Sequence, residues 1–396
     1  MSFRFPARWE GRDHGPNPLS EALAARKAAG ADLLDLNVSN PTAVGITFPE
    51  DWTGLLVGDS LRRYDPDPKG LRSVRDALAG YYSDRGESVK PDDLFLTAGT
   101  SEAYAHLFKL LCEPGDTILV PRPSYPLLET LADLAGLAFD TYPLILREDA
   151  GTVSWSIDRK SLTAQITDPS HTFRVLCVVQ PNNPTGNILS PEDAAWLLDI
   201  ASKHGFAVIV DEVFADYLNT EARTALLNSD GPLVFTLNGL SKLVGLPQLK
   251  LAWIHVAGNA ADTGKAKDLL EWMCDAHLSA GTAPQLAAPE LLRRRGEFQG
   301  PIRERIAENL QALREIAAAN SRLKPLWPQG GWCLPVRCEG IQDDEEFAIR
   351  LVEEQGVLVQ PGYFFDFEDD ETIVISLLPE PEIFREGLKR LSLSLD

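Results

Sequence analysis

The chain has 396 residues, more than one hydrophobic core usually serves, so a large domain plus a smaller one is expected. It is 44% hydrophobic and 24% charged, the balance of a soluble globular protein, and its net charge of -21 argues against nucleic acid and anionic membranes as partners. Five cysteines without a CxxC pair, an N-terminus without an apolar leader and no long apolar run point to a cytoplasmic protein with reduced thiols and no metal site.

Residues 1–30 read as an arm followed by a helix, with Ser20 as N-cap, Glu21 opening the helical run and Gly30 stopping it. Leu33 to Val38 is a short strand, ended by the turn Ser39-Asn40-Pro41-Thr42. Tyr64-Asp65-Pro66-Asp67-Pro68-Lys69-Gly70 is a polar loop before a helix over 71–84. Leu94 to Thr97 is a strand, and Ala98-Gly99-Thr100-Ser101 is a small-residue turn into a helix. Such a helix N-terminus offers free N–H groups and a positive dipole end, a ready phosphate site, with Thr100 and Ser101 adding hydroxyls. An ordinary capped helix is the plainer alternative. The glycines do not follow the dinucleotide pattern.

Pro114-Gly115-Asp116 turns into strand Thr117–Val120, which ends at Pro121-Arg122-Pro123-Ser124-Tyr125-Pro126. Tyr125 can stack on a planar ring there or pack locally. Val175 to Gln180 is continuously apolar until its last residue, as for a buried parallel strand, and it runs into Pro181-Asn182-Asn183-Pro184-Thr185-Gly186. Ser190 to Asp193 caps a helix over 191–204. Ala207 to Asp211 is another buried strand, and it ends in an acid, where α/β sheets bind ligands. A solvent-facing carboxylate is the alternative.

Two apolar runs, Leu233 to Leu237 and Leu251 to Val256, flank Lys242. A lysine in apolar surroundings loses hydration in its charged form, so its pKa falls and it becomes nucleophilic. A loop lysine facing water is the competing reading. Beyond residue 259 the pattern is mixed. It gives helices over 260–278, 284–295, 297–319, 343–355 and 380–393, and strands from Gly330 to Arg337, at 357–359 and at 371–378, as for a smaller α+β domain.

Five of these stretches together resemble, in the same order, the fold-type I pyridoxal phosphate (PLP) enzymes of the aminotransferase class I/II (aspartate aminotransferase) superfamily. The resemblance implies an α/β fold, a large domain with a mostly parallel sheet flanked by helices plus a smaller α+β domain. The division expected is 45–284 for the large domain, and 1–44 with 285–396 for the small one. It implies that Lys242 is the Schiff-base lysine and acid/base, that Asp211 keeps the ring nitrogen protonated and that Asn183 donates to the ring oxygen O3'. Tyr125 would stack on the ring, and Gly99, Thr100, Ser101 and Lys250 would hold the phosphate with Tyr64 from the other subunit of a homodimer. The activity implied is transamination between an amino donor and an oxo acid. A lyase working by β-elimination and a ligand-binding protein without turnover are the alternatives.

Four positions depart from that family. Lys250 stands where an arginine holds the phosphate, Phe214 where a tyrosine bonds O3', Val374 where an arginine clamps the substrate carboxylate, and Gly239 where a serine precedes the lysine. Tyr217 is a possible stand-in for the tyrosine. Arg4, Arg8, Arg12, Arg62, Arg63 and Arg337 are candidates for the clamp, and Tyr363-Phe364-Phe365 either lines the substrate pocket or packs in the small domain.

Overall fold

The computed structural model describes residues 3–4, 15–149, 152–170, 172–220, 224–278 and 280–395. The apolar runs become strands of one eight-stranded sheet: β1 (Leu94–Thr97), β2 (Thr117–Arg122), β3 (Ala138–Asp149), β4 (Thr152–Ile157), β5 (Phe173–Val179), β6 (Ala207–Asp211), β7 (Val234–Gly239) and β8 (Ala252–Ala257). Their order is β1-β8-β7-β6-β5-β2-β3-β4. The five strands from β7 to β3 in that order are parallel. β8 runs antiparallel between β7 and β1, and β4 folds back on β3.

Helices cover both faces, which is why every residue of β7 and β8 is buried and their sequences read as unbroken apolar runs. Alternate residues serve opposite cores. Ile118, Ile209 and Phe235 pack with Leu107 and Phe108, while Leu119, Val208 and Val210 pack with Leu162 and Leu197. Each such fully buried side chain contributes roughly 1.5–3 kcal/mol. The carboxyl ends of β5, β6 and β7 are therefore fixed points from which polar groups can be aimed.

A second, antiparallel sheet is built from β9 (Leu323–Pro325), β10 (Cys333–Cys338), β11 (Gln360–Pro361) and β12 (Thr372–Ser376), in the order β9-β10-β12-β11. Leu334, Val336, Ile373 and Ile375 on one face join Ile302, Leu313, Phe384 and Leu388 of two helices, Arg295–Ala319 and Pro381–Leu393. Leu19, Leu36 and Val44 enter the same core, and residues 34–35 pair in parallel with 357–358. Cys333 and Gln360 lie on the opposite face and look toward the large sheet.

Several elements differ from the sequence reading. The first helix is Pro18–Ala28, capped by Asn17, whose side chain accepts from the Ser20 N–H at 2.8 Å, so Ser20 lies inside the helix. The strand expected over 33–38 shrinks to Leu34–Asp35. The helix expected over 343–355 ends at Arg350, and a wider turn, Leu351–Gln355, carries on to Gly356 in the left-handed region at φ 67°. Helices Leu127–Leu134 and Arg159–Ile166 and the β3–β4 hairpin were not expected at all. No helix among the described residues is long and apolar enough to cross a membrane, and no group of metal-ligating side chains occurs among them.

Candidate active site

The two sheets face each other across a cleft of about 400 Å³ that opens at the carboxyl ends of β5 and β6. Lys242, Asp211, Asn183, Tyr125 and Thr100 all line it.

Asp211 is the last residue of β6. Its Oδ1 accepts the Val213 N–H at 3.1 Å and its Oδ2 the Tyr104 hydroxyl at 3.3 Å. Burial pushes the carboxyl up to about 6, against the pull of these two donors and of Lys242, and with a further push from Glu212. Glu212 points the other way along the strand direction, into Arg85 at 3.2 Å and Gln180 at 3.2 Å. Asp211 is thus a buried acid held by two hydrogen-bond donors, with Lys242 as the cation that acts on it across the cleft.

Lys242 sits in the single helical turn Leu240–Leu243 that follows β7. Gly239 lets β7 and β8 close up beside this turn. A Cβ there would lie 3.0 Å from the Ala252 Cβ and 3.2 Å from the Leu251 carbonyl oxygen, which accounts for glycine in place of a serine. The ammonium lies 4.9 Å from the Trp332 ring centroid and 5.5 Å from that of Phe214. Desolvation lowers its pKa, opposed by Cys333 and Asp211. More of the amine is free base as a result, the form that attacks an aldehyde.

Phe214 lines the cleft, and Tyr217 is not among the lining residues. The Tyr217 hydroxyl donates to the Lys242 carbonyl at 2.9 Å and to the Leu243 carbonyl at 3.4 Å, and its ring packs on Trp332. It braces the lysine turn from beneath.

The helix Thr100–Leu111 starts at Gly99 with no side-chain cap, so its first N–H groups stay available. Glu102 reaches back to the Ala98 N–H at 2.6 Å. Lys250 lies outside β8. It follows the short turn Pro247–Leu249 with φ 51° and ψ 56°. Its ammonium would lie 3.9 Å from a Cβ on Gly99, so it reaches over the helix start. Ser101 is exposed at that mouth, and Tyr64, 71% exposed, stands outside the cleft of its own chain.

Tyr125 is half exposed, its ring 6.4 Å from that of Phe365. Its loop is locked by Asn182, whose Nδ2 donates to the Pro123 carbonyl at 2.9 Å and to Thr185 Oγ1 at 2.8 Å. The Ser124 N–H donates to the Phe365 carbonyl at 3.0 Å, tying that loop to the small sheet. Asn182 escaped the sequence reading, although its doublet with Asn183 was in view. Tyr104 escaped too, yet it follows Thr100 by four residues on the same helix face. Cys333, Gln360, Val213 and Asn37 also line the cleft and carry no local motif. Among the described residues, Lys242 is the only basic side chain in the lining. Arg4, Arg62, Arg63 and Arg337 lie elsewhere, and Arg8 and Arg12 fall outside the described residues.

A lysine and an acid lining one cleft at the carboxyl edge of a sheet, beside an open helix N-terminus, form the frame of an α/β enzyme. Residues 33–390 match the family described as aminotransferase class I and II, and the chain belongs to that family. It is 29% identical over 366 residues to tyrosine aminotransferase of Homo sapiens, covering 89% of this chain and 78% of that protein. It is 26% identical over 393 residues to alanine aminotransferase of Mycobacterium tuberculosis, covering 94% and 88%. The fold matches alanine aminotransferase of Pyrococcus furiosus with a TM-score of 0.88 over 99% of both chains at 23% identity. It matches a double mutant of Thermus thermophilus aspartate aminotransferase with a TM-score of 0.83 over 99% of this chain and 100% of that one, at 21% identity. The architecture is fold type I, and the activity is PLP-dependent transfer of an amino group.

Proposed function

We propose that Lys242 and Asp211 are the catalytic residues of this aminotransferase. The observation that carries the reading is their convergence in one cleft, the lysine with a lowered pKa and the acid with a raised one. Bound pyridoxal phosphate supplies an aldehyde that links to amines and a ring that withdraws electrons. Lys242 would hold that aldehyde through Nζ and would move a proton to and from the substrate carbon. Asp211 holds a proton on the ring nitrogen, with the Tyr104 hydroxyl fixing the carboxylate's orientation. Asn183 would donate to O3', and Tyr125 would cover a ring face. Gly99, Thr100 and Ser101 offer the phosphate the N–H groups and hydroxyls of a helix start, and Lys250 adds a cation.

Tyr64 completes the phosphate site of a second copy in a homodimer, a reading supported by its exposure beside exposed Val57 and Leu61. The large domain spans 45–284 and the small domain 1–44 with 285–396, supported by the shared core of Leu19, Leu36 and Val44 with the C-terminal helices. The helix Thr282–Arg293 packs on Val74 and Leu78 of the large unit, so the crossing between domains runs into the long helix after it. Five cysteines free of disulfides suit a cytoplasmic enzyme.

Incubation of the purified yellow protein with a panel of amines tests the reaction. Conversion to the pyridoxamine form is the expected outcome. Release of ammonia with a keto acid would make it a lyase, and an unchanged spectrum would make it a binder.

A further inference from the structure

We infer that Asn37 and Gln360 form a clamp of two amides for the carboxylate of the oxo-acid substrate and of the amino acid formed from it. This rests on the reading of the cleft given above and concerns the wall opposite the cofactor residues. Two neighbouring strand ends deliver the pair. Residues 34–35 run in parallel beside 357–358, and the Leu36 N–H continues that ladder to the Leu358 carbonyl at 3.0 Å. Asn37 and Gln360 each stand two residues beyond the last paired positions, Asp35 and Leu358, and both line the cleft. Their backbones are held. The Asn37 N–H donates to Asp35 Oδ1 at 2.8 Å, and its carbonyl accepts the Ser39 hydroxyl at 3.2 Å. Gln360 pairs with Val374 of β12.

Their amide groups, by contrast, are open. Asn37 Oδ1 is buried, so that amide meets the cleft through Nδ2. No hydrogen bond joins Asn37 Nδ2 or the Gln360 amide to another group among the described residues. Asn182 shows the structural use of an amide in the same region, with Nδ2 donating to both Pro123 and Thr185. Half-buried amides are normally hydrogen-bonded, so two open ones on a single wall point to a ligand. A carboxylate has two oxygens and accepts from two amides at once, each bond to the charged group adding roughly 10–150-fold in affinity. Ser39, Cys333 and Phe365 share the wall, and none is acidic. Burial holds the Cys333 thiol above its ordinary pKa, so no negative charge there repels the ligand. Asn183 lies on the opposite wall and is assigned to the ring oxygen.

The test uses reduced conjugates of pyridoxal phosphate with L-alanine and with ethylamine, titrated into the full-length protein stripped of cofactor. The two differ only by a carboxylate, and binding needs no turnover. Wild type should prefer the alanine conjugate by about tenfold or more. In Gln360→Leu and in Asn37→Leu that preference should fall by about tenfold, with affinity for the ethylamine conjugate within about threefold of wild type. Gln360→Glu keeps the size of the side chain and exchanges its N–H donors for a negative charge, so there the ethylamine conjugate should bind the more tightly. The ratio is taken in the variants that bind the ethylamine conjugate, which is also the check that they are folded. It reads the amides' share whatever other group also faces the carboxylate. A preference that survives unchanged in these variants overturns the inference and leaves the cofactor site standing, as does a wild type without preference. Failure of the wild type to bind either conjugate overturns the cofactor site and the inference together.

Discussion

The two walls of the cleft are built on opposite principles. The large-sheet wall carries the polar groups that chemistry dictates: Asp211 ends a strand, Lys242 lies in the helical turn that follows one, Thr100 starts a helix and Asn183 lies in the turn beyond a strand. The small-sheet wall is neutral and is dictated by register, with Val374 under phenylalanine rings and Gln360 beside it on an edge strand. On the proposed reading the first wall would act on the cofactor and the second would face the substrate. Changes to the first should therefore alter rate or cofactor retention, and changes to the second should alter the choice of substrate.

The largest effect is expected at Lys242. Lys242→Ala removes the covalent link and the proton carrier together, so borohydride should fix no cofactor on the chain. Turnover should fall by roughly 10²–10⁴-fold or more. Peptide mapping of the borohydride-treated wild type checks the site, and an adduct on another lysine would sink the assignment.

Asp211→Asn should retain cofactor but slow turnover by roughly 10²–10³-fold, because it removes a buried electrostatic partner of the ring and leaves the phosphate contacts intact. The same residue gives a pH signature to the cofactor-free protein. Its pKa is raised on folding, to about 6 from an ordinary 3.8. The stability it allows is therefore fully present below about pH 4 and is lost as pH rises through about 6, by about 1–3 kcal/mol after allowance for solvent in the cleft. Thermal denaturation of the cofactor-free protein should show the gap between Asp211→Asn and wild type widening between pH 4 and 7. A gap independent of pH would remove the claim that Asp211 is a buried acid with a raised pKa.

These two residues were readable without a structure because their type and place are both forced. An acid ending an apolar run, and a lone lysine between two such runs, are visible in one dimension. Tyr104 and Asn182 were not, since their partners Asp211 and Pro123 are 107 and 59 positions away in the chain. The β3–β4 hairpin was missed for a local reason. Pro143 interrupts the run, and a proline there argues against a strand unless the strand lies toward a sheet edge, as β3 does. Around Lys250, Leu249 and Leu251 mimic the alternation of a half-buried strand, whereas the backbone turns left-handed between them. The neutral wall left only its negative print, a valine where the family has an arginine.

Lys250 gives a smaller test. If it holds the phosphate, Lys250→Ala loses one charge-assisted contact, roughly 1.5–3 kcal/mol, and cofactor affinity should weaken by about one to two orders of magnitude. Lys250→Arg should retain affinity, because a side chain at this left-handed position meets the same backbone cost whichever cation it carries. Equilibrium titration of the cofactor-free protein measures both, and an unchanged dissociation constant for Lys250→Ala would move the phosphate away from the Gly99 turn.

The smallest effect should come from Tyr217, and it separates two roles for one hydroxyl. A hydroxyl that bonded the cofactor's O3' would, on removal, change the bound cofactor's absorbance and its pH response. The Tyr217 hydroxyl instead donates to the carbonyls of Lys242 and Leu243, and Gln299 Nε2 also donates to the Leu243 carbonyl at 3.0 Å. In Tyr217→Phe the Lys242 carbonyl keeps only the Gly245 N–H at 3.2 Å, and that of Leu243 keeps Gln299. The ring's packing on Trp332 is unaffected, since phenylalanine fills the same space. The variant should lose about 1 kcal/mol of stability with the absorbance and cofactor affinity of the wild type. Turnover should fall only a few-fold, through a looser lysine turn. A shifted absorbance band with unchanged stability would put the hydroxyl in the cleft after all, and Phe214 would then not be the residue that faces O3'.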